Sequence, residues 1–441
     1  MNRAIRRVAY VVVGLMLVIV GQLTYLQFID AKTLQNDPRN SRTALRDVNR
    51  PRGEIVSADG EILARSTKVN DEYGWQRTYP FGSLYAQTVG YQSVVVGTVG
   101  LERSYDDDLT GRSFSRDLKR LPSLLADDRQ TGTLVTTLRA DAQAAARDAL
   151  AGQRGSVTVL DPRTGAVLAM YSNPSFDPQP LASHDARRVQ TYYDALQADP
   201  AHPALARAYR EIYPPGSTFK VVTAASALDS GAVTIDTEFP GPACIDVDGQ
   251  ELCNFRRRDY GPHDFGYALV HSINTTFAQV GMDIGAEQLE STMRDFGFFR
   301  RIPWDYPPEQ TLPSGIFNRR GDLVDPDTPV DIARLAIGQE RLLATPLQMA
   351  LVAAAVANGG QLVEPQPVQE VRAPDGAVVR RPQPVFLGRA MTTETAATLR
   401  TLMRQVVDDG TGTAANVAGL DIAGKTGTAE TGTEEIGRAH V

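Results

Sequence analysis

The sequence predicts an α+β protein carried on a membrane anchor helix. Three observations carry that prediction: a charge-free run from Val8 to Ile29, a strand–turn–strand stretch that begins at Ser156, and a mostly helical middle that ends in a strand-like run over Ile422–Glu430. Strands on both sides of a helical block are the pattern of an α+β domain whose sheet is completed by late strands. Composition agrees. With 42% hydrophobic and 22% charged residues, this chain of 441 residues can build a sizeable core. Lys+Arg 45 against Asp+Glu 52 leaves a net charge of −7, which excludes a general nucleic-acid binder. Two cysteines exclude a cysteine-rich metal module or disulfide scaffold. Of the basic residues only Lys32, Lys68, Lys119, Lys220 and Lys425 are lysines, so arginine is the default cation here.

The elements follow in order. As a helix, Val8–Ile29 reaches about 33 Å, enough to cross a bilayer's hydrocarbon core. Arg3, Arg6 and Arg7 precede it, so residues 1–7 are expected in the cytoplasm and everything after residue 30 outside a single-pass plasma-membrane protein. Gln22–Asp30 offers no small-x-small cleavage site, which argues against a removed signal peptide. Residues 30–152 form a first domain of short β-like runs punctuated by Gly53, Gly60 and Gly74, closing on an Ala-rich helix over Asp141–Leu150. Residues 153–433 form a second. It opens with a hairpin around the Asp161-Pro-Arg-Thr-Gly turn and continues with helices over 217–229, 264–271, 275–284, 330–337, 346–357 and 392–407. The final seven residues, Glu435–Val441, are what a common sequencing adapter encodes in one frame. Residues 434–441 are therefore expected to be a non-native tail, His440 to lack functional meaning, and the Lys425 strand to be left as a sheet edge.

Three segments carry chemistry. Ser217-Thr-Phe-Lys220 follows Pro214-Pro-Gly216 and opens an apolar helix. Ser217 then sits at a helix N-terminus, and Lys220 projects one turn later from the same face. A serine is a weak nucleophile until a base takes its proton; lysine can be that base when burial or a neighbouring cation lowers its pKa, whereas arginine cannot. A capping serine followed by a solvated lysine would read the same in isolation. Ser272-Ile-Asn274 lies between two helical runs, where either polar residue could equally cap the second helix. Gly424-Lys-Thr-Gly-Thr428 lies in the late strand, with glycines beside the lysine that let another backbone approach. In this order, at intervals of 55 and 153 residues, the three are the motif set of penicillin-binding proteins and class A β-lactamases.

On these residues the chain resembles a class B penicillin-binding protein, of the penicillin-binding protein A type found in actinobacteria. Asn49-Arg-Pro-Arg-Gly-Glu-Ile-Val, Gly100-Leu-Glu-Arg-Ser-Tyr-Asp, Leu160–Met170, Ala344-Thr-Pro-Leu-Gln-Met-Ala and Asp409-Gly-Thr-Gly-Thr-Ala-Ala share the likeness, which covers nearly all of residues 1–430. The missing sheet and terminal helix after the Lys-Thr-Gly strand depart from it. The resemblance implies an elongated N-terminal pedestal domain over 30–152. It further implies a serine D,D-transpeptidase domain, β-lactamase-like, with a five-stranded antiparallel sheet flanked by helices. It also implies cross-linking of lipid II-derived peptidoglycan stem peptides. Ser217 would attack the D-Ala-D-Ala carbonyl, Lys220 would be the base, Ser272 would relay a proton to the leaving amine, and Asn274 would hold the substrate amide and the base. Lys425, Thr426, Gly427 and Thr428 would bind the substrate, with the N–H groups of Ser217 and Thr428 as oxyanion hole. β-Lactams would acylate the same serine, and a glycosyltransferase with divisome or elongasome proteins would be the partners. No cofactor is expected.

Three rivals and two weaker signals complete the reading. The same fold could serve a β-lactam sensor or a non-catalytic divisome scaffold, but all three motif segments are intact. A secreted serine β-lactamase would lack residues 31–152. His184, His202, His263 and His271 show no metal spacing, so no metal is expected; His271, beside Ser272, could tune the site or merely end a helix. Cys244 and Cys253 flank an Asp-Gly turn, compatible with a disulfide or with two thiols.

Overall fold

The computed structural model describes residues 2–26, 49–113, 131–324, 330–429 and 437–440. Helix α1 (Asn2–Thr24) takes in the leading arginines and exposes its apolar side chains from Tyr10 to Leu23. Among the described residues no helix is long and apolar enough to cross a membrane. The run expected to span over 8–29 is helical as far as it is described, and the Thr24 hydroxyl donates to Val20 O at 2.8 Å. Residues 27–29 of that run, and residues 434–436 and 441 of the expected tail, lie outside the described residues.

The largest sheet has six strands and is mixed. Along the chain come β1 (Ile55–Val56), β2 (Ile62–Lys68), β3 (Trp75–Thr78) and β4 (Thr133–Thr136). Helix α2 (Ala140–Leu150) follows, ended as the sequence predicts by Ala151 in the left-handed region at φ 46°. The hairpin β5 (Gly155–Leu160) and β6 (Val167–Asn173) runs in register from Gly155↔Asn173. Helix α3 (Lys220–Asp229) precedes a second hairpin, β7 (Cys244–Val247) and β8 (Gln250–Cys253), in which Cys244 and Cys253 are partners and form a disulfide.

Helix α4 (Phe265–Val270) leads to α5 (Asn274–Asp295), and α5 is interrupted at Gly285 (φ 76°), where the predicted helix over 275–284 ends. Then come α6 (Ile332–Ala336), α7 (Pro346–Ala357), β9 (Val368–Arg372), β10 (Val378–Arg380), α8 (Thr393–Asp408), β11 (Thr426–Ala429) and β12 (Gly437–His440).

The six-stranded order is β10-β9-β4-β1-β2-β3, with β1 and β4 parallel. Val368 and Val371 of β9 are buried in it, so a segment from far along the chain completes the N-terminal sheet. Among the described residues the implied five-stranded antiparallel sheet is absent; β5–β6 and β11–β12 are separate pairs. Strand partners are set by contacts remote in sequence, which alternation alone does not encode. Nor is the Lys425 strand left without a following partner: β11 pairs with β12 from Thr426↔His440 to Ala429↔Gly437.

The faces on which α3 and α5 meet are largely apolar. Val221, Val222, Ala224 and Ala225 of α3 are fully buried, as are Phe277, Ala278 and Val280 of α5, which packs on it. This dry wall fixes where α3 begins, and so where the serine before it sits.

Candidate active site

Two glycines make the turn that carries Ser217 possible. Gly216–Phe219 is a 3₁₀ turn that runs directly into α3, where the sequence predicts helix from Ser217 onward. Gly216 adopts φ 54°, and a Cβ there would lie 2.5 Å from Thr428 O of β11. On the other side a Cβ on Gly338 would lie 1.9 Å from Gly216 O, and Gly216 N–H donates to Gly338 O at 2.9 Å. Neither position tolerates a side chain. Thr218, fully buried, ties the turn down by donating from Oγ1 to Pro215 O at 2.7 Å. Ser217 is left half-buried at the mouth of the turn.

Both lysines of the motif set are buried, Lys220 at 0% and Lys425 at 1% exposure. Lys220 Nζ donates to Ser272 O at 2.8 Å and to Asn274 Oδ1 at 2.6 Å, with Ser272 Oγ at 3.3 Å. Lys425 Nζ donates to the same Ser272 Oγ at 2.8 Å and to Thr426 O at 3.0 Å. Every one of these partners is a neutral oxygen. Burial therefore pushes the Lys220 amine well below its ordinary range, with the charge of Lys425 adding to the effect. Burial lowers Lys425 to about 7.

Ser272 holds its place in the left-handed region at φ 59°, an unusual setting for a residue with a Cβ. Among the described residues no hydrogen bond reaches Ser217 Oγ; catalytic contacts often tighten only once substrate is bound. In β11, Thr426 and Thr428 share a face while Gly427 and Ala429 turn inward.

Three positions escaped the sequence reading. Gly338 supports the turn, Thr411 places its Oγ1 at 2.6 Å from Thr426 Oγ1, and Asn254 holds the start of α5. Only Thr411 had a signal, since it sits in the Asp409-Gly-Thr-Gly-Thr segment. His271 ends α4 and packs on Tyr267, ring centroids 4.0 Å apart. Burial, more than its charged neighbours, lowers its pKa. Among the described residues its ring has no hydrogen bond to the site. Cys244, Glu251 and Cys253 cluster as metal ligands would, but the disulfide occupies both sulfurs.

Comparison with known proteins agrees with this geometry. Residues 155–441 match the penicillin binding protein transpeptidase domain, and residues 52–135 match the penicillin binding protein A dimerisation domain. The peptidoglycan D,D-transpeptidase PbpA of Mycolicibacterium smegmatis is 36% identical over 445 residues, covering 98% of this chain and 88% of that protein. PbpA of Mycobacterium tuberculosis is 34% identical over 447 residues with the same coverage. The imipenem acyl-enzyme structure of M. tuberculosis penicillin-binding protein A superposes with a TM-score of 0.78 at 33% identity, covering 87% of this chain and 88% of that one. With its serine turn, its paired lysines and these matches, the chain belongs to the penicillin-binding protein transpeptidase family.

Proposed function

We infer that this chain is a peptidoglycan D,D-transpeptidase that works through a serine acyl-enzyme and is acylated by β-lactams. One observation carries the reading: two buried lysines meet on one serine hydroxyl, with only neutral oxygens around them, beside a serine fixed by Gly216 and Gly338.

A neutral amine has two N–H donors and one lone pair. In Lys220 the donors are taken by Ser272 O and Asn274 Oδ1, which leaves the lone pair for the Ser217 proton. Ser217 Oγ bonds to the penultimate D-Ala carbonyl carbon as its proton passes to Lys220. The N–H groups of Ser217 and Thr428 stabilise the oxyanion. Ser272, touching both lysines, carries a proton to the leaving nitrogen as the C–N bond breaks and D-Ala departs. The acceptor stem-peptide amine then attacks the ester and frees Ser217. Lys425, Thr426 and Thr428 hold the terminal carboxylate, Gly427 lets the substrate backbone lie close, and Asn274 keeps one Nδ2 hydrogen for a substrate carbonyl. No step calls for a cofactor.

In the same reading, residues 8–29 anchor the protein in the plasma membrane with residues 1–7 cytoplasmic and the catalytic domain outside. Residues 30–152 are the pedestal, and residues 153–433 carry catalysis. A glycosyltransferase and divisome or elongasome proteins are its partners, and lipid II-derived stem peptides its substrate. The support is the apolar face of α1, the two domain matches and the likeness to PbpA.

The test is to mix the full-length protein with a fluorescent penicillin and time the adduct. A long-lived adduct on Ser217 is expected. Rapid turnover would make the protein a β-lactamase, and no adduct would leave a scaffold.

A further inference from the structure

Helix α5 starts at the active site without a cap of its own. Its N-cap position is Ile273, whose side chain accepts nothing. The polar neighbours that the sequence offers as caps are engaged elsewhere: Asn274 Oδ1 and Ser272 O take Lys220, and Ser272 Oγ takes Lys425. A helix start buried in this way leaves N–H groups that must find acceptors outside the helix.

Thr275, 1% exposed, gives its N–H to Asn254 Oδ1 at 3.0 Å. Asn254 comes from the end of the β7–β8 hairpin and is itself 3% exposed, with every end of its amide committed. Its Nδ2 donates to Pro242 O at 2.9 Å and to Arg258 O at 3.0 Å, and its Oδ1 also accepts from Thr275 Oγ1 at 3.3 Å. The residue before it holds the active-site side chain directly: Cys253 O accepts from Asn274 Nδ2 at 3.0 Å. One dipeptide, Cys253-Asn254, therefore grips Asn274 by its amide and Thr275 by its backbone. The dipeptide is pinned in turn by the Cys244–Cys253 disulfide and by Asn254 N–H donating to Ala243 O at 2.9 Å.

We propose that Asn254 is a positioning residue for acylation: it caps α5 from outside the helix, which releases Asn274 to orient Lys220 instead. The inference rests on Lys220 as the base of the reaction above. If the start of α5 shifts, Asn274 Oδ1 no longer takes its share of the Lys220 hydrogens, and the lone pair is aimed away from Ser217. Proton transfer slows, while the surfaces that bind penicillin, on β11 and the serine turn, stay in place.

The full-length protein in detergent is mixed with increasing fluorescent penicillin in a stopped flow. This separates the dissociation constant of the first complex from the first-order acylation constant, and the adduct amplitude counts competent sites. In Asn254→Ala the first-order constant should fall about 10–100-fold, the scale of a misplacement near 1 Å. The dissociation constant should stay within about threefold and the amplitude should match the parent. A residue that only supports the fold would lose amplitude and keep its rate per site. A parental first-order constant, or a loss confined to amplitude in a variant that folds, overturns the proposal. If Asn254→Ala does not fold, the paired Cys244→Ser and Cys253→Ser variant decides. It keeps Asn254 but unpins the dipeptide, so its first-order constant should also fall, and a parental value overturns the idea. A parent that forms no adduct sinks the enzyme reading itself, whereas an acylated parent with parental-rate variants sinks this inference alone.

Discussion

Two of the clusters that bury cations among the described residues treat them in opposite ways. In the N-terminal domain Arg52 Nε and Arg77 Nε each reach a Glu102 carboxylate oxygen at 2.6 Å, and Arg52 Nη1 reaches Asp106 at 2.5 Å. At the candidate active site the hydrogen bonds of Lys220 and Lys425 go only to neutral oxygens. Burial opposes the positive charge in both places. Around Arg52 it is the largest single influence, yet Asp106 and Glu102 together outweigh it and the pKa rises. Burial likewise opposes the Glu102 anion most, but Arg77 and Arg52 bring its pKa below the ordinary carboxylate range. With no counter-charge, Lys220 falls instead. At these two sites the counterion sets the direction of the shift, and the side chain suits it, because guanidinium does not release its proton.

The harshest way to break this comparison is Lys220→Arg, which keeps the charge and removes the base. The second-order acylation constant with a fluorescent penicillin should fall by about 10²–10⁴, with the thermal melt near that of the parent. The same change at Lys68, on the exposed end of β2, should leave acylation alone. Retention within a few-fold in Lys220→Arg would end the general-base assignment.

Glu102→Gln attacks the other cluster. It leaves two buried guanidinium groups without their shared carboxylate and should cost about 3–5 kcal/mol in urea unfolding. A cost below about 1 kcal/mol would show that Asp106 alone suffices.

Acidity separates the two regions without a mutation. In the proposed mechanism Lys220 acts unprotonated and Lys425 holds a carboxylate protonated, so the acylation constant should be bell-shaped, with its alkaline limb near the Lys425 value of about 7. Esterifying the β-lactam carboxylate should flatten that limb; an unchanged limb would remove Lys425 from carboxylate binding. The sign differs for stability. Glu102 has a folded pKa below its unfolded value of 4.5, so its contribution is present above 4.5 and is lost as pH falls through the lower folded value. Lys425 has a folded pKa of about 7 against 10.5, so the unfolded chain binds the extra proton and its effect on stability improves as pH rises between those values.

The smallest effect is expected at the Cys244–Cys253 bridge, which closes a separation of 9 residues. Reducing it should cost about 2–3 kcal/mol, less than Glu102→Gln. Unfolded but unreduced protein should titrate no free thiol; two would show that the bridge does not form.

The site was more legible in the sequence than the fold. Ser217, Lys220, Ser272, Asn274 and Lys425 lie in short local motifs, and the preference for arginine elsewhere made two of the lysines conspicuous. The paired cysteines were visible because an Asp-Gly turn sits between them. Asn254 was not, since its role is to satisfy an N–H of a helix that starts 20 residues later in another element, and nothing local marks that debt. Gly338 is invisible for a related reason: its missing side chain matters only because Gly216 O lies where a Cβ would be. Strand β9 was missed because Val-Gln-Glu-Val-Arg lacks an apolar–polar alternation and its partner, β4, is remote.

That remoteness bears on how the molecule is assembled. Thr137 Oγ1 donates to Gln366 O across a separation of 229 residues, beside the pairing of β4 with β9. The whole serine-bearing region is thus an excursion between two neighbouring strands of one sheet. A ribosome that has made residues 1–152 has made a sheet with one bare edge at β4, open to wrong pairing until β9 arrives. Closing so long a loop is entropically cheap per added residue but slow to find. Cutting the gene at the domain border should therefore yield two fragments that are each incomplete, and a chain nicked inside the excursion should stay associated through β4 and β9.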